Sequence, residues 1–226
     1  FAEPMARLCK RLIRDEPELD ANLKPKHLDV TALDTPTLAL ANAARETLRI
    51  GDATEQMLDG LKKVMHGEPR EEKNLRKQAD DINVLYTAIK LYLARMPKDE
   101  LAEEESRRWA EIIEMSLNLE QASDIIERMG SEIADKSLAA RRAFSVEGLK
   151  ELEALYELLL SNLQLAMSVF FAGDVTSARR LRRSKHRFRI LNRRYAHAHV
   201  DRLHQQNVQS IETSTLHLAL DRKSVV

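Results

Sequence analysis

Apolar residues recur three and four positions apart through almost the whole chain, and that period constrains the fold more than any other feature. The clearest run is Leu75, Ala79, Ile82, Leu85, Ile89, Leu93 and Met96. Residues so spaced share one face of an α-helix, whereas a strand needs a period of two. No alternating run is present. Six Gly, six Pro and 4% aromatics in 226 residues leave too few turn and strand residues for a β-sandwich or a doubly wound sheet. The expected class is all-α.

Breakers divide the pattern into six helices. The first opens at Thr35 and Pro36, carries Ala44, Leu48, Gly51, Leu58, Leu61 and Met65 inward, and stops at Gly67. The second ends at Pro97. Asp99 is the expected cap of the third, which runs through Ile112, Met115, Leu119, Ile126 and Ile133 to about Ala140. Ser145 caps a fourth helix whose stripe is Leu149, Leu152, Leu155, Leu159, Leu163, Ala166 and Phe170. Gly173 ends it, and Asp174 caps a fifth with Ala178, Leu181, Phe188, Leu191, Tyr195 and Ala198 inward. A sixth begins near Ser210. Short connections predict antiparallel neighbours. Three helices followed by three suggest a duplicated unit. The expected division is a basic linker over residues 1–34, a first three-helix repeat over 35–143, and a second over 144–226, incomplete at its end.

Several functions are disfavoured. The lone cysteine, Cys9, allows no internal disulfide and no Cys-based zinc site. The longest apolar stretch, Leu158 to Gly173, is interrupted by Ser161, Asn162 and Gln164, so no membrane span is expected. There is no HExxH, GxSxG, Walker or GxGxxG motif, and no Glu followed three residues later by His. The chain is not expected to be an enzyme. It begins with Phe and reads as part of something longer.

Net charge is zero but unevenly placed. Residues 97–160 carry 16 acidic and 8 basic side chains. Residues 174–207 carry 10 basic side chains against Asp174 and Asp201. Two surfaces stand out. In the third helix, Glu120 and Asp124 share a face, with Glu127 and Ser131 beside them. Asp80 and Asp81 of the second helix lie off its core stripe. Carboxylates suit hard cations such as Mg, Ca, Mn or iron, although a solvated acidic face is the commoner outcome of this spacing. The second surface is basic: Arg179, Arg180, Arg182, Arg183, Arg187, Arg193 and Arg194 in the fifth helix. Pairing with the acidic third and fourth helices, or with a partner's acidic surface, is expected ahead of nucleic acid, because aromatic residues for base stacking are scarce. His186, His197, His199 and His204 are expected at the surface.

The stretch Leu33 to Leu48 (LDTPTLALANAARETL) resembles the opening of the PhoU-like domain found at the C-terminus of bacterial sodium/phosphate cotransporter family proteins. Residues 118–124 (NLEQASD) are similar to that family's acidic pattern in its third helix, and Ser210 to Leu218 (SIETSTLHL) resembles the start of its last. The resemblance implies tandem three-helix bundles and a regulatory domain on the cytoplasmic face of the inner membrane. Its partner would be the membrane part of its own transporter. It also implies a surface iron or other metal held by Glu120 and Asp124 with Asp80 or Asp81. The fifth helix departs from the pattern at Lys185 to Ile190, the sixth at Ala219, so a second metal cluster is not expected. A second copy, forming a homodimer, is expected to complete the unfinished bundle. Arg7, Lys10, Arg11 and Arg14, following a membrane helix upstream, would place the domain in the cytoplasm. A stand-alone PhoU-type signalling adaptor is the main alternative; a helical nucleic-acid binder and a metalloenzyme rank below it.

Overall fold

A computed structural model describes residues 24–97, 101–140 and 144–204. These are all-α, with no strand among the described residues. Five long helices follow in order: α1 Pro36–Met65, α2 Glu72–Ala94, α3 Glu103–Ala140, α4 Val146–Ala172 and α5 Val175–His204. Short 3-10 turns at Val30–Asp34 and Pro69–Glu71 precede α1 and α2. The basic segment with Cys9, the Asp99 cap and the sixth helix lie outside the described residues.

Of the expected caps within the described residues, Ser145 and Asp174 form and Thr35 does not. Ser145 Oγ accepts from Gly148 N at 3.1 Å, and the Asp174 carboxylate accepts from Thr176 N at 3.0 Å and Ser177 N at 2.9 Å. Each satisfies amides that the first helical turn leaves unpaired. Thr35 stands at the N-cap of α1 but its side chain makes no capping bond; Pro36, which has no N–H to satisfy, opens that helix. Gly173 ends α4 with φ 64°, a left-handed conformation that costs glycine nothing.

Helix α1 is the centre of the packing: α2, α3 and α4 all lie against it, while α5 lies on α4. The three first helices enclose one core. Ile50, Met57, Leu75, Ile82, Ile89, Leu93 and Ile112 are its largest fully buried apolar residues. Leu75 of α2 sits where α1 and α3 converge. A Cβ added at Gly60 of α1 would stand 2.8 Å from Leu75 Cδ2, and one at Gly130 of α3 would meet Leu75 Cδ1. The two glycines are therefore the hole that this knob fills.

Helix α4 runs antiparallel to α1. Glu153 at the start of α4 meets His66 just past the end of α1, Tyr156 and Glu157 meet Asp59 and Lys62, Gln164 meets Glu55, and Met167 meets Gly51. Gly51 admits Met167, whose Cε would lie 2.5 Å from a Cβ there. Contrary to the sequence reading, α4 is long and apolar enough to cross a membrane, with mean hydropathy 1.4 over 18 residues. The three polar interruptions are outweighed by the leucines and phenylalanines around them. In the folded chain α4 is instead tied sideways to α1. Tyr156 Oη donates to Asp59 Oδ1 at 2.6 Å, Lys62 pairs with Glu157 at 2.9 Å, and Gln164 Nε2 donates to Glu55 Oε1 at 2.7 Å. The Arg108 guanidinium of α3 lies 4.4 Å from the Phe170 ring centre. The predicted stripe of α4 is spread out accordingly. Phe170 is buried, Leu159 is exposed, and Tyr156 rather than a leucine fills the middle.

Overpacking the glycine hole should cost about 1–3 kcal/mol, offset by the roughly 1 kcal/mol helix preference of Ala over Gly. Gly130→Ala is expected to lower the midpoint of chemical unfolding. In a double-mutant cycle, Leu75→Ala combined with Gly130→Ala should cost less than the sum of the two single changes.

Candidate functional site

The acidic face predicted on α3 is graded in exposure, with Asp124 exposed and Glu120 and Glu127 half-buried. It lies alongside α2. Asp80, Asp124 and Glu127 line an open groove of about 220 Å³ together with Arg76, Ala79 and Asn83. Arg76 bridges the two helices: its guanidinium lies 3.0 Å from Glu72 and 3.5 Å from Glu127. Ser131 Oγ donates to Glu72 Oε1 at 2.9 Å, a second link between α2 and α3. An arginine thus supplies the positive charge that such a face needs.

Of the four predicted ligands, Asp80 and Asp124 share the groove, while Glu120 and Asp81 do not line it. Glu120 is half-buried. Its carboxyl is held above the ordinary glutamate value, chiefly by burial and then by the Asp124 charge, with Lys90 opposing. Among the described residues, no three His, Cys, Asp or Glu side chains gather where they could hold a metal ion. The groove's donors are two aspartates and a glutamate already paired with Arg76, a set that does not fit a metal centre.

The basic surface is more distinctive. Arg179, Arg180, Arg182, Arg183, Arg187, Arg193 and Arg194 are all exposed along α5. The expected pairing with the acidic helices is met at one position, Arg202. It forms a two-pronged pair with Glu151 of α4, Nη1 to Oε1 at 2.9 Å and Nη2 to Oε2 at 2.5 Å. Among the described residues, no carboxylate forms an ion pair with the seven predicted arginines; the nearest influence is the charge of Arg180 on Asp174. Packing explains the outcome. The face of α5 turned to α4 is built from Leu181, Phe188, Leu191, Asn192, Tyr195 and His199, and the arginines occupy the remaining arc.

His199 corrects the surface assignment of the histidines. It is buried against α4, one turn before Arg202. Burial, then the Arg202 charge, holds its imidazole below the ordinary value, with Glu151 opposing. Its spacing of four from Tyr195 and eight from Leu191 puts it on the inward stripe, and that signal was present in the sequence.

A second residue that the sequence reading passed over is Glu46, fully buried in α1. It accepts from Lys26 N at 3.0 Å and His27 N at 2.9 Å, and pairs with Arg49. Arg49 also donates to Lys24 O at 3.1 Å, and Tyr92 Oη of α2 donates to Asp29 O at 2.8 Å. The segment leading into α1 is therefore clamped by side chains of two helices. Glu46 falls on the seam Ala39, Ala43, Ile50, Met57, Leu61 and Val64, so a carboxylate among core positions was the available clue.

The chain is 90% identical over 220 residues to a Salmonella typhimurium protein named "Putative inorganic phosphate export protein YjbB". It is 88% identical to proteins of the same name from Escherichia coli K12 and Shigella flexneri. Each match takes in 97% of this chain, and the chain spans about 40% of the length of these relatives. No protein-family profile matches the chain, and no solved structure matches it.

Two pH-linked outcomes follow. Because Glu120 holds its proton more tightly in the folded chain, its contribution is full below 4.5 and lost as pH rises through the folded value. Glu120→Gln should raise the melting temperature at neutral pH, by the equivalent of about 0.2–0.5 kcal/mol, with no gain in acid. His199 behaves oppositely. Its folded value lies below 6.5, so its contribution is full above 6.5 and lost as pH falls through the folded value. Thermal melts of the wild type should drop between neutral and mildly acidic buffer, and His199→Leu should flatten that drop.

Proposed function

We propose that this chain is a helical regulatory and interaction module of a bacterial phosphate-transporting membrane protein, held on the cytoplasmic face of the inner membrane. The observation that carries the proposal is its 90% identity, over nearly its whole length, to part of a longer protein named for inorganic phosphate export. The finer assignment, a PhoU-like domain of the sodium/phosphate cotransporter type, is supported by the resemblance of Leu33–Leu48, the stretch that opens α1 and carries Glu46. The partner in this reading is the membrane part of the same protein.

What the chain's own residues can do fits such a role. The α1–α3 bundle is a stiff body with a filled core, and Glu46 and Tyr92 fix the segment that enters it. Helices α4 and α5 rest on one side of that body and present a charged surface. A module of this kind regulates by binding one conformation of its partner more strongly than another; equal binding to both would shift nothing. At the acidic groove Arg76 pairs with Glu72 and Glu127, and the reading routes no step through a metal.

Phosphate efflux from cells making the full-length protein tests the reading. Deleting the region from Thr35 onward, with the membrane part still inserted, should change the efflux rate or its dependence on phosphate supply. An unchanged rate and an unchanged phosphate response would refute regulation by this region.

A further inference from the structure

We propose that the outward face of α5, with the corner joining it to α4, binds the surface of an anionic phospholipid bilayer. The inference goes beyond the transport reading and does not rest on it, since it follows from the composition and exposure of this face alone.

Three observations converge. The first is charge without neutralisation. At 100° per residue, Val175, Arg179, Arg182, Arg183, His186 and Arg193 fall on one arc of α5, opposite the arc that meets α4. All are exposed, and among the described residues none of these arginines has a carboxylate partner. The second is exposed apolar surface on the same side. Phe171 and Val175 flank the Gly173–Asp174 corner at 66% and 62% exposure, and Ile190 and Val200 continue along α5. Aliphatic and aromatic side chains among arginines are the composition of a helix lying at the headgroup boundary, with apolar groups dipping in and guanidiniums on the phosphates. The third is that the corner's own carboxylate is engaged: Asp174 accepts two amide hydrogens of α5.

The alternatives fit less well. A nucleic-acid strand stacks bases on exposed aromatics, but Phe188 and Tyr195 are half-buried toward α4 and Phe171 stands alone at the corner. The arginine-lined face of the helix gives an acidic protein the charge it needs but no reason for the apolar tip.

Co-sedimentation of the 226-residue chain with vesicles tests the proposal. Binding is expected to phosphatidylglycerol-containing vesicles and not to pure phosphatidylcholine, and it should fade at salt on the order of 0.5 M, where exposed charges are screened. Arg179→Gln, Arg182→Gln and Arg183→Gln together should weaken binding about tenfold or more. Phe171→Ser with Val175→Ser should weaken it too and make the remainder more salt-sensitive. All five side chains are exposed, so melting curves should be unchanged; if the triple variant misfolds, Arg189→Gln with Arg193→Gln provides the same reading further along the helix. Equal binding to neutral vesicles, or a charge variant that binds like the wild type, overturns the proposal. So does competition by duplex DNA at lower concentration than lipid, or displacement by millimolar-range inorganic phosphate. The first would assign the face to nucleic acid, the second to a free-anion site. A change in phosphate efflux is no part of this test, so the two readings can fail separately.

Discussion

Close approach to α1 is the constraint on which the rest of the structure depends. Three helices can share one central rod only where that rod has little side chain to keep them away. Gly60 admits Leu75 from α2, and Gly51 admits Met167 from α4. Ala39, Ala43 and Ala44 thin its first turns in the same way. Buried volume is thereby shifted onto neighbouring helices, whose larger residues fill α1's gaps. Density of this kind makes a bundle stiff, since each knob has one hole.

The two charged surfaces then show opposite solutions to one electrostatic problem. Between α2 and α3 the acids are close together, and the chain supplies Arg76 and Ser131 as internal partners. Along α5, among the described residues, the arginines are given no such ion-pair partner, apart from Arg202 at the buried edge. Self-repulsion along a helix costs a few tenths of a kcal/mol per pair. Among the described residues no carboxylate offsets that cost along the outward arc of α5.

The fold class and the helix order were legible because periodicity, caps and breakers all depend on local sequence. Ser145, Asp174 and Gly173 each act within four residues of themselves, and each is where the sequence put it. What was not legible depended on partners distant in sequence. Glu120 and Asp124 were correctly placed on one face, but the helix beside that face, and Arg76 upon it, is set by the α2–α3 packing. Helix α4 was judged by interruptions in its apolar run, when average hydropathy was still high enough to span a bilayer. Glu46 and His199 were overlooked for a different reason. Both sit on inward stripes, and a polar residue on a stripe is easily discounted until its burial is seen, together with the backbone amides and guanidinium that hold Glu46.

Helix α4 joins these threads. Its second half is apolar enough to prefer hydrocarbon, yet its first half carries Glu147, Lys150, Glu151, Glu153 and Glu157. A charged residue at the bilayer centre costs about 2.5–3.5 kcal/mol, so these five belong outside hydrocarbon. Those same charges find partners in the folded chain: Glu157 with Lys62, Glu153 with His66, Glu151 with Arg202. The polar half of α4 therefore fixes the helix on the bundle and holds α5 to its flank. The apolar half is carried to the corner at Phe171, where greasy surface and arginine meet.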